Sequence, residues 1–389
     1  MRGSDAAVPQ AVRVPSIRDP RLDVFRGLCL VMIFINHTPG TVFEHFTSRN
    51  FGFSDAAEAF VLMSGIAAGI AYGKYFTGPS PASFWAGTGR IWRRVWTLYQ
   101  VHIVTTVMAL GLAAATAYFF GGFEAMQRNA IRFQYQMPLQ FLIGIPLLTH
   151  QIGYANILPL YAVLLFVAPL TLWAGARRPK LVMTVSVLLW LGAAMTYLNL
   201  PNFPMRGGWF FNPISWQVIF TLGLLSGLAM RRGERFVPRS GWLLAICIAW
   251  LLFALLAARN RTVSEALGHT LHLTSEYLHV HWIFVAFDKT YLALPRLSHA
   301  LALAYVLANW PLVRRLCATR GVAPFALLGR HGLAVFGLGV VLCYGANGAK
   351  LMAPPSLALD SALIGGGVAL MMMLAWSKEA WRRAETRGG

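Results

Sequence analysis

Long stretches with almost no charge constrain this chain more than any other feature. A helix needs roughly 20 mostly apolar residues to cross about 30 Å of hydrocarbon. Residues 181–198, 242–258 and 361–376 are three of several stretches that meet this need. A soluble core needs apolar runs of only about 4–8 residues, or amphipathic stripes. Hydrophobic residues make up 57% of the chain and charged residues 12%, against about 25% charged in soluble domains. The expected fold class is therefore all-α, a polytopic integral membrane helical bundle of about ten transmembrane helices. The spans are expected at 22–38, 55–75, 95–120, 155–174, 181–198, 212–230, 241–258, 296–313, 324–346 and 358–377. The apolar piece 139–150 is short and broken by Pro138 and Pro146, so it reads as re-entrant or interfacial, or as part of an eleventh span.

The net charge of +19 first points to nucleic acid, but the placement of the charges points elsewhere. Six segments carry 23 of the 33 Lys and Arg: the N-terminal stretch to Arg26, then 74–94, 177–180, 231–239, 314–320 and 378–387. With ten spans these all fall on one side, against 9 on the other. That bias puts both termini in the cytoplasm of a cell whose inner membrane holds the protein. The basic character then reflects topology and attraction to anionic lipid, not nucleic acid. Four cysteines show no disulfide or zinc spacing. The first apolar stretch lacks a small-x-small cleavage site, so it is expected to be retained. Residues 1–17 read as a disordered cytoplasmic tail and 379–389 as a basic one. No internal repeat, Walker loop or dinucleotide fingerprint is present.

Ionisable groups inside a bilayer are costly, so each needs a reason. Arg26 and His37 are eleven residues apart, about three helical turns, which puts them on one face about 16 Å apart along the axis. His37 can serve as a general base for a hydroxyl; it can equally be a structural histidine. Arg26 reads as a juxtamembrane anchor or as a functional cation, with Asp23 one turn away to pair with it. Asp55 and Glu58 form a capping-box pattern; the alternative makes one of them hold the His37 tautomer. Ser64, Gly65 and Gly69 mark a face for close helix packing. Arg90, Arg93 and Arg94 fit the positive-inside bias, or a grip on the phosphates of a nucleotide-type carrier. His269, His272, Glu276 and His279 would share one helical stripe, which reads as an amphipathic outer helix before it reads as a metal site. Trp209, Trp216 and Trp282 read as interfacial belt aromatics or as platforms for sugar rings.

Arg18-Asp-Pro-Arg21-Leu-Asp23-Val-Phe-Arg26-Gly27, followed by Asn36-His37, resembles the opening of the OpgC family of osmoregulated periplasmic glucan succinyltransferases, a branch of the membrane-bound acyltransferase-3 superfamily. That superfamily carries an Arg-x10-His element, matched here by Arg26 and His37. The stretch from Arg49 through Ser54, Asp55 and Glu58 to Ser64-Gly65 is similar to the family's second-helix signature. Asn156 to Tyr161, Phe211 to Gln217, Asp288 to Tyr305 and Gly329 to Phe336 also look like family blocks, so the resemblance covers about 18–345. Ile66 stands where the broader superfamily often has an aromatic.

The resemblance implies an 18–378 membrane-embedded acyltransferase domain. It implies transfer of an acyl group, succinyl from succinyl-CoA, onto hydroxyls of a periplasmic glucan. His37 would be the base, Glu58 or Asp55 would orient it, and Arg26 would stabilise the donor from below. Arg90, Arg93 and Arg94 would hold the carrier phosphates. Asn36 is our own addition, as a hydrogen-bond donor to the developing oxyanion. The donor is then a co-substrate, with no permanently bound cofactor and no metal, and the partners are donor, glucan and bilayer. An O-acetyltransferase of another surface polysaccharide and a secondary transporter are the competing expectations.

Overall fold

The computed structural model describes residues 19–78, 80–128 and 130–388; the expectation of a disordered tail over 1–17 lies outside them. The fold is all-α, with 77% helix and no strand among the described residues. The long helices are α1 (Pro20–Asn36), α2 (Ala56–Tyr72), α3 (Pro81–Phe120), α4 (Ile157–Arg177), α5 (Pro179–Thr196) and α6 (Pro213–Arg231). They continue with α7 (Gly241–Arg259), α8 (Arg261–Tyr277), α9 (Leu294–Asn309), α10 (Gly332–Met352) and α11 (Leu357–Gly388). Local chemistry explains where many of them start. Side chains of Asp19, Asp55, Asn212, Ser240 and Asn260 cap α1, α2, α6, α7 and α8 by accepting from free backbone N–H groups. Proline opens α1, α3, α5, α6 and α9, where its missing N–H is harmless.

Among the described residues eight helices, α2–α7, α10 and α11, are long and apolar enough to cross a membrane. The two other expected spans near 22–38 and 296–313 fall on α1 and α9, which have only 17 and 16 residues. The expected span 95–120 is the second part of a 40-residue helix, because nothing between Pro81 and Phe120 breaks it. The 139–150 piece is a seven-residue helix, Pro138–Gly144, followed by turns, so it is too short to cross. Helix α8 buries none of its residues, as expected for an amphipathic element lying outside the bundle. No cluster able to hold a metal occurs among the described residues; His272 instead meets Glu276 at 3.1 Å on the exposed surface.

The small-residue face of α2 packs as expected. Gly65 and Gly69 lie against backbone of α6, and Gly223 and Gly227 of α6 lie against backbone of α2. Two four-residue glycine spacings thus interlock, and the helix backbones touch without side chains between them. A Cβ at Gly227 would run into the carbonyl of Ile66. Backbone cannot yield as a side chain tip does, so Gly227→Leu should destabilise the bundle by about 1–3 kcal/mol or more. A detergent-solubilised melt that leaves the midpoint unchanged would contradict this packing. A similar close approach joins α1 to the short helix Ala323–Arg330: Gly27 sits on the Phe325 carbonyl and Gly329 on the Asp23 carbonyl.

Basic segments gather at one end of the bundle. Arg21 donates to the carbonyls of Leu307 and Ala308, Arg231 to Ile70, Arg232 to Ala176 and Arg177 to Phe76. Arg235 and Arg239 both donate to the Asn309 amide oxygen. Several of these arginines close the carbonyl ends of helices, where positive charge is favoured. The expected 379–389 tail is helical through Gly388 as a continuation of α11. Its Glu379 is buried and accepts from Arg330 at 3.1 Å and lies 3.0 Å from His331 Nε2.

Candidate active site

His37 ends α1. Its backbone N–H still reaches back to the helix, and its carbonyl accepts from the Asn347 amide at 2.9 Å. The loop that follows is pinned from two helices. Lys350 of α10 donates to the Gly40 carbonyl at 2.7 Å and pairs with Asp360 of α11 at 3.1 Å, and Asp360 accepts the Val42 N–H at 3.0 Å. The imidazole is stacked on the Tyr154 ring, with centroids 4.5 Å apart. Among the described residues no hydrogen bond reaches its ring nitrogens, so they are uncommitted. Tyr154 itself has φ +71°, a left-handed conformation that a bulky residue rarely adopts. Such strain collects at functional sites, where the surroundings impose it. Here Tyr344 contributes by donating to the Gly153 carbonyl at 2.6 Å.

Asn36 accepts from the Thr47 hydroxyl at 2.6 Å, which fixes its amide plane. Its NH₂ group makes no hydrogen bond among the described residues. Arg26 lies toward the other end of the same helix. It donates to the Met63 carbonyl at 3.3 Å and lies 4.0 Å from Asp23. A crevice beside α1 reaches His37; lined by Phe34, Gly339, Val340 and Cys343 among others, it holds about 10 Å³. That is room for about one water molecule.

Asp55 and Glu58 form the capping box. Asp55 accepts from Ala57 N–H at 2.8 Å, and Glu58 accepts from Asp55 N–H at 3.0 Å. Their remaining oxygens go to two cations. Arg296 meets Glu58 at 2.5 Å and Asp55 at 3.2 Å, and Lys289 meets Asp55 at 2.5 Å. Glu58 is fully buried, and two carboxylates against two cations leave the cluster neutral. No hydrogen bond joins either acid to His37 among the described residues. Asp55, Lys289 and Arg49 are near enough to act on the imidazole through space.

Arg296 and Lys289 were missed as site residues in the sequence. Two acids opening a membrane helix demand buried cations nearby, and that demand was the available signal. What placed Lys289 was the tertiary structure: Trp216 donates its indole N–H to the Lys289 carbonyl at 2.9 Å, and Trp190 donates to the Tyr291 carbonyl at 3.0 Å. This corrects the expectation for two tryptophans. Trp216 is 0% exposed and Trp209, whose N–H goes to the Pro201 carbonyl, is 4% exposed, so neither offers a ring face to a sugar. Trp282 is partly exposed and stacks on Tyr197.

The remaining candidates lie on α3. Arg90 and Arg93 are exposed, and Arg90 sits over the Tyr75 ring at 5.3 Å. Arg94 is half-buried, close enough to Tyr72 and Tyr161 to act on both. Arg26 acts on Tyr161 too, so Arg26 and Arg94 flank the same side chain.

The family model described as OpgC protein matches residues 18–383, nearly the whole chain. The chain belongs to the OpgC family. No curated protein matches it. Membership implies an acyltransferase-type function on osmoregulated periplasmic glucan. The blocks that carried the resemblance converge in the fold of this OpgC protein. The first-helix block supplies Asn36 and His37, the second-helix block supplies Asp55 and Glu58, and the 288–305 block supplies the cations that hold those acids. The 156–161 block opens α4, directly after the strained Tyr154.

Proposed function

We propose that this OpgC protein transfers a succinyl group from succinyl-CoA to a hydroxyl of a periplasmic glucan, with His37 as the base. The observation that carries this reading is the His37 imidazole. Among the described residues neither ring nitrogen makes a hydrogen bond, the ring stacks on Tyr154, and the charge-neutral cluster acts on it through space. In the reaction the glucan oxygen attacks the thioester carbonyl and forms the new C–O bond. The C–S bond breaks, and the hydroxyl proton passes through His37 to the departing sulfur. The Asn36 NH₂ group is available to the carbonyl oxygen as it gains charge. Asp55 and Glu58 act indirectly: paired with Lys289 and Arg296, they fix the entrance of α2 and the field around the imidazole.

The donor enters from the basic end. Its phosphates meet Arg90, Arg93 and Arg94, with Arg26 deeper on the same route. The crevice beside α1 is too small for a pantetheine arm, so a donor reaching His37 along it would have to part α1 from α10. The topology in this reading counts α1 and α9 as spans, for ten crossings. Both termini are then cytoplasmic in the inner membrane, and the bilayer surrounds the 18–378 acyltransferase domain. Trp282 remains the candidate for stacking on a sugar ring.

Mass spectrometry of periplasmic glucans tests the substrate assignment. Cells with the intact gene should give a succinyl mass increment, and cells lacking it should not. An acetyl increment would redirect the donor assignment. Unchanged glucans would remove this acceptor in favour of another surface polysaccharide or of transport.

A further inference from the structure

A cavity at the basic end of the bundle takes no part in the reaction. It holds about 370 Å³, within the size of small-ligand sites, about 300–1,000 Å³. Three segments wall it: the turn Gly73–Tyr75 with Phe76 after it, the first turns of α3, and the last turns of α4. Phe76 is buried and meets the Phe84 ring edge-on, with centroids 5.4 Å apart. Ser83 donates to the Tyr75 carbonyl at 2.9 Å. Gly87 lets α3 come this close, since a Cβ there would stand 2.5 Å from the Tyr75 Cβ. The inner wall is therefore fixed by packing and needs no ligand to form.

Arg177 lines this cavity and is held in one orientation. Its Nη1 donates to the Trp173 carbonyl at 2.9 Å and to the Phe76 carbonyl at 3.4 Å, and its guanidinium lies 4.6 Å from the Trp173 ring centre. Its Nε and Nη2 make no hydrogen bond among the described residues. Lys74 Nζ stands 4.9 Å over the ring of Tyr75, a lining residue, and makes no hydrogen bond among them either. Neither cation pairs with a carboxylate there, and residues 59–123 and 125–233 contain no Asp or Glu. The outer walls are apolar and open: Trp85, Leu170 and Trp173 are 64%, 62% and 42% exposed. They stand on α3 and α4, both long and apolar enough to cross a membrane. Further along these helices the exposed rings of Trp92 and Phe166 stack at 5.2 Å, so the apolar strip runs on across both.

We propose that this cavity holds one anionic phospholipid. Its phosphate takes the free N–H groups of Arg177, and the Lys74 ammonium adds its charge. Its acyl chains leave over Trp85, Trp173 and Leu170 and join the bilayer. Two cations with no carboxylate favour a headgroup of net negative charge, because choline or ethanolamine brings a further cation to the site. The open apolar walls select a lipid over a soluble phosphate or nucleotide, which has no chain to cover them. Basic pockets between transmembrane helices suit anionic headgroups at the cytoplasmic face. The bound lipid touches the turn after α2 as well as α3 and α4, so it ties three segments together.

The experiment is native mass spectrometry of the full-length protein in detergent, titrated with phosphatidylglycerol or with phosphatidylcholine of the same chains. The parent should bind one phosphatidylglycerol at least about fivefold more tightly than phosphatidylcholine. Arg177→Gln and Lys74→Gln should each weaken phosphatidylglycerol about fivefold, the effect of one cation beside an anionic headgroup, and leave phosphatidylcholine within about twofold. Lys74→Gln breaks no hydrogen bond within the protein, so it decides the matter if Arg177→Gln fails to fold. Arg178→Gln, next in sequence but outside the lining, should bind both lipids like the parent. Equal affinity for the two lipids overturns the site, and so does a Lys74→Gln protein that binds like the parent. An Arg178→Gln protein as weak as Lys74→Gln reduces the effect to diffuse surface charge and overturns it as well. Release of the bound phosphatidylglycerol by equimolar coenzyme A would give the cavity to the soluble carrier instead.

Discussion

His37→Ala should abolish acyl transfer while leaving the protein folded and inserted. Loss of a positioned general base costs about 10²- to 10⁴-fold in rate, which is about 3–5 kcal/mol of transition-state stabilisation. The fold should tolerate the change because the contacts that fix this end of α1 do not use the imidazole. Asn347 holds the His37 carbonyl, Thr38 donates to the Phe34 carbonyl, and Lys350 and Asp360 pin the following loop. The side chain itself contributes the stacking contact on Tyr154. The measurement is kcat for acyl transfer by purified protein, beside a melting curve. A variant that melts like the parent and transfers at the parent's rate would remove His37 as the base. His37→Gln distinguishes position from chemistry: it retains a polar planar group, and it should be as inactive as the alanine variant because an amide cannot cycle a proton near neutrality.

Arg296→Met should be the most destabilising single change in the site. It removes the guanidinium that meets both Glu58 and Asp55 and leaves a fully buried Glu58 carboxylate without its cation. Breaking one partner out of a buried ion pair costs about 3–5 kcal/mol, because the other charge stays behind. Lys289 cannot compensate fully, since its ammonium is committed to Asp55. Adding Glu58→Gln to Arg296→Met should recover much of the loss, because the stranded charge is gone. Unfolding midpoints for the two single variants and the double variant form a cycle that isolates the pair. If Arg296→Met alone melts within about 0.5 kcal/mol of the parent, the cluster does not hold α2 to the start of α9. Activity should fall together with stability, because Asp55 acts on His37 through space and Arg296 helps to hold Asp55.

Much of the site was legible as a list of residues and little of it as an arrangement. The capping box of Asp55 and Glu58 was readable from spacing alone, because a cap is a local structure that needs only the first turn of α2. The glycine spacing at Gly65 and Gly69 was readable too, and it packs as read. The partner of those acids was not, because Arg296 lies 238 residues from Glu58 along the chain. Trp216 illustrates the opposite error. Aromatics near a span end invite an interfacial or sugar-binding role, and only packing shows that this ring is buried with its N–H on the Lys289 backbone. Tyr154 carried no signal at all, since neither its positive φ nor its ring contact follows from its neighbours in sequence.

The sequence by itself determined the solvent and the secondary structure. Apolar stretches of membrane length can satisfy their backbone groups in hydrocarbon only as helices. It also put Arg26 and His37 on one helix, because that separation is set by helical geometry alone. What the tertiary structure decided was which groups are committed and which are free. Asp55, Glu58, Lys289 and Arg296 neutralise one another, while the His37 ring nitrogens make no hydrogen bond among the described residues. Such pairings depend on contacts between helices far apart in the chain, and no local pattern of residues encodes them.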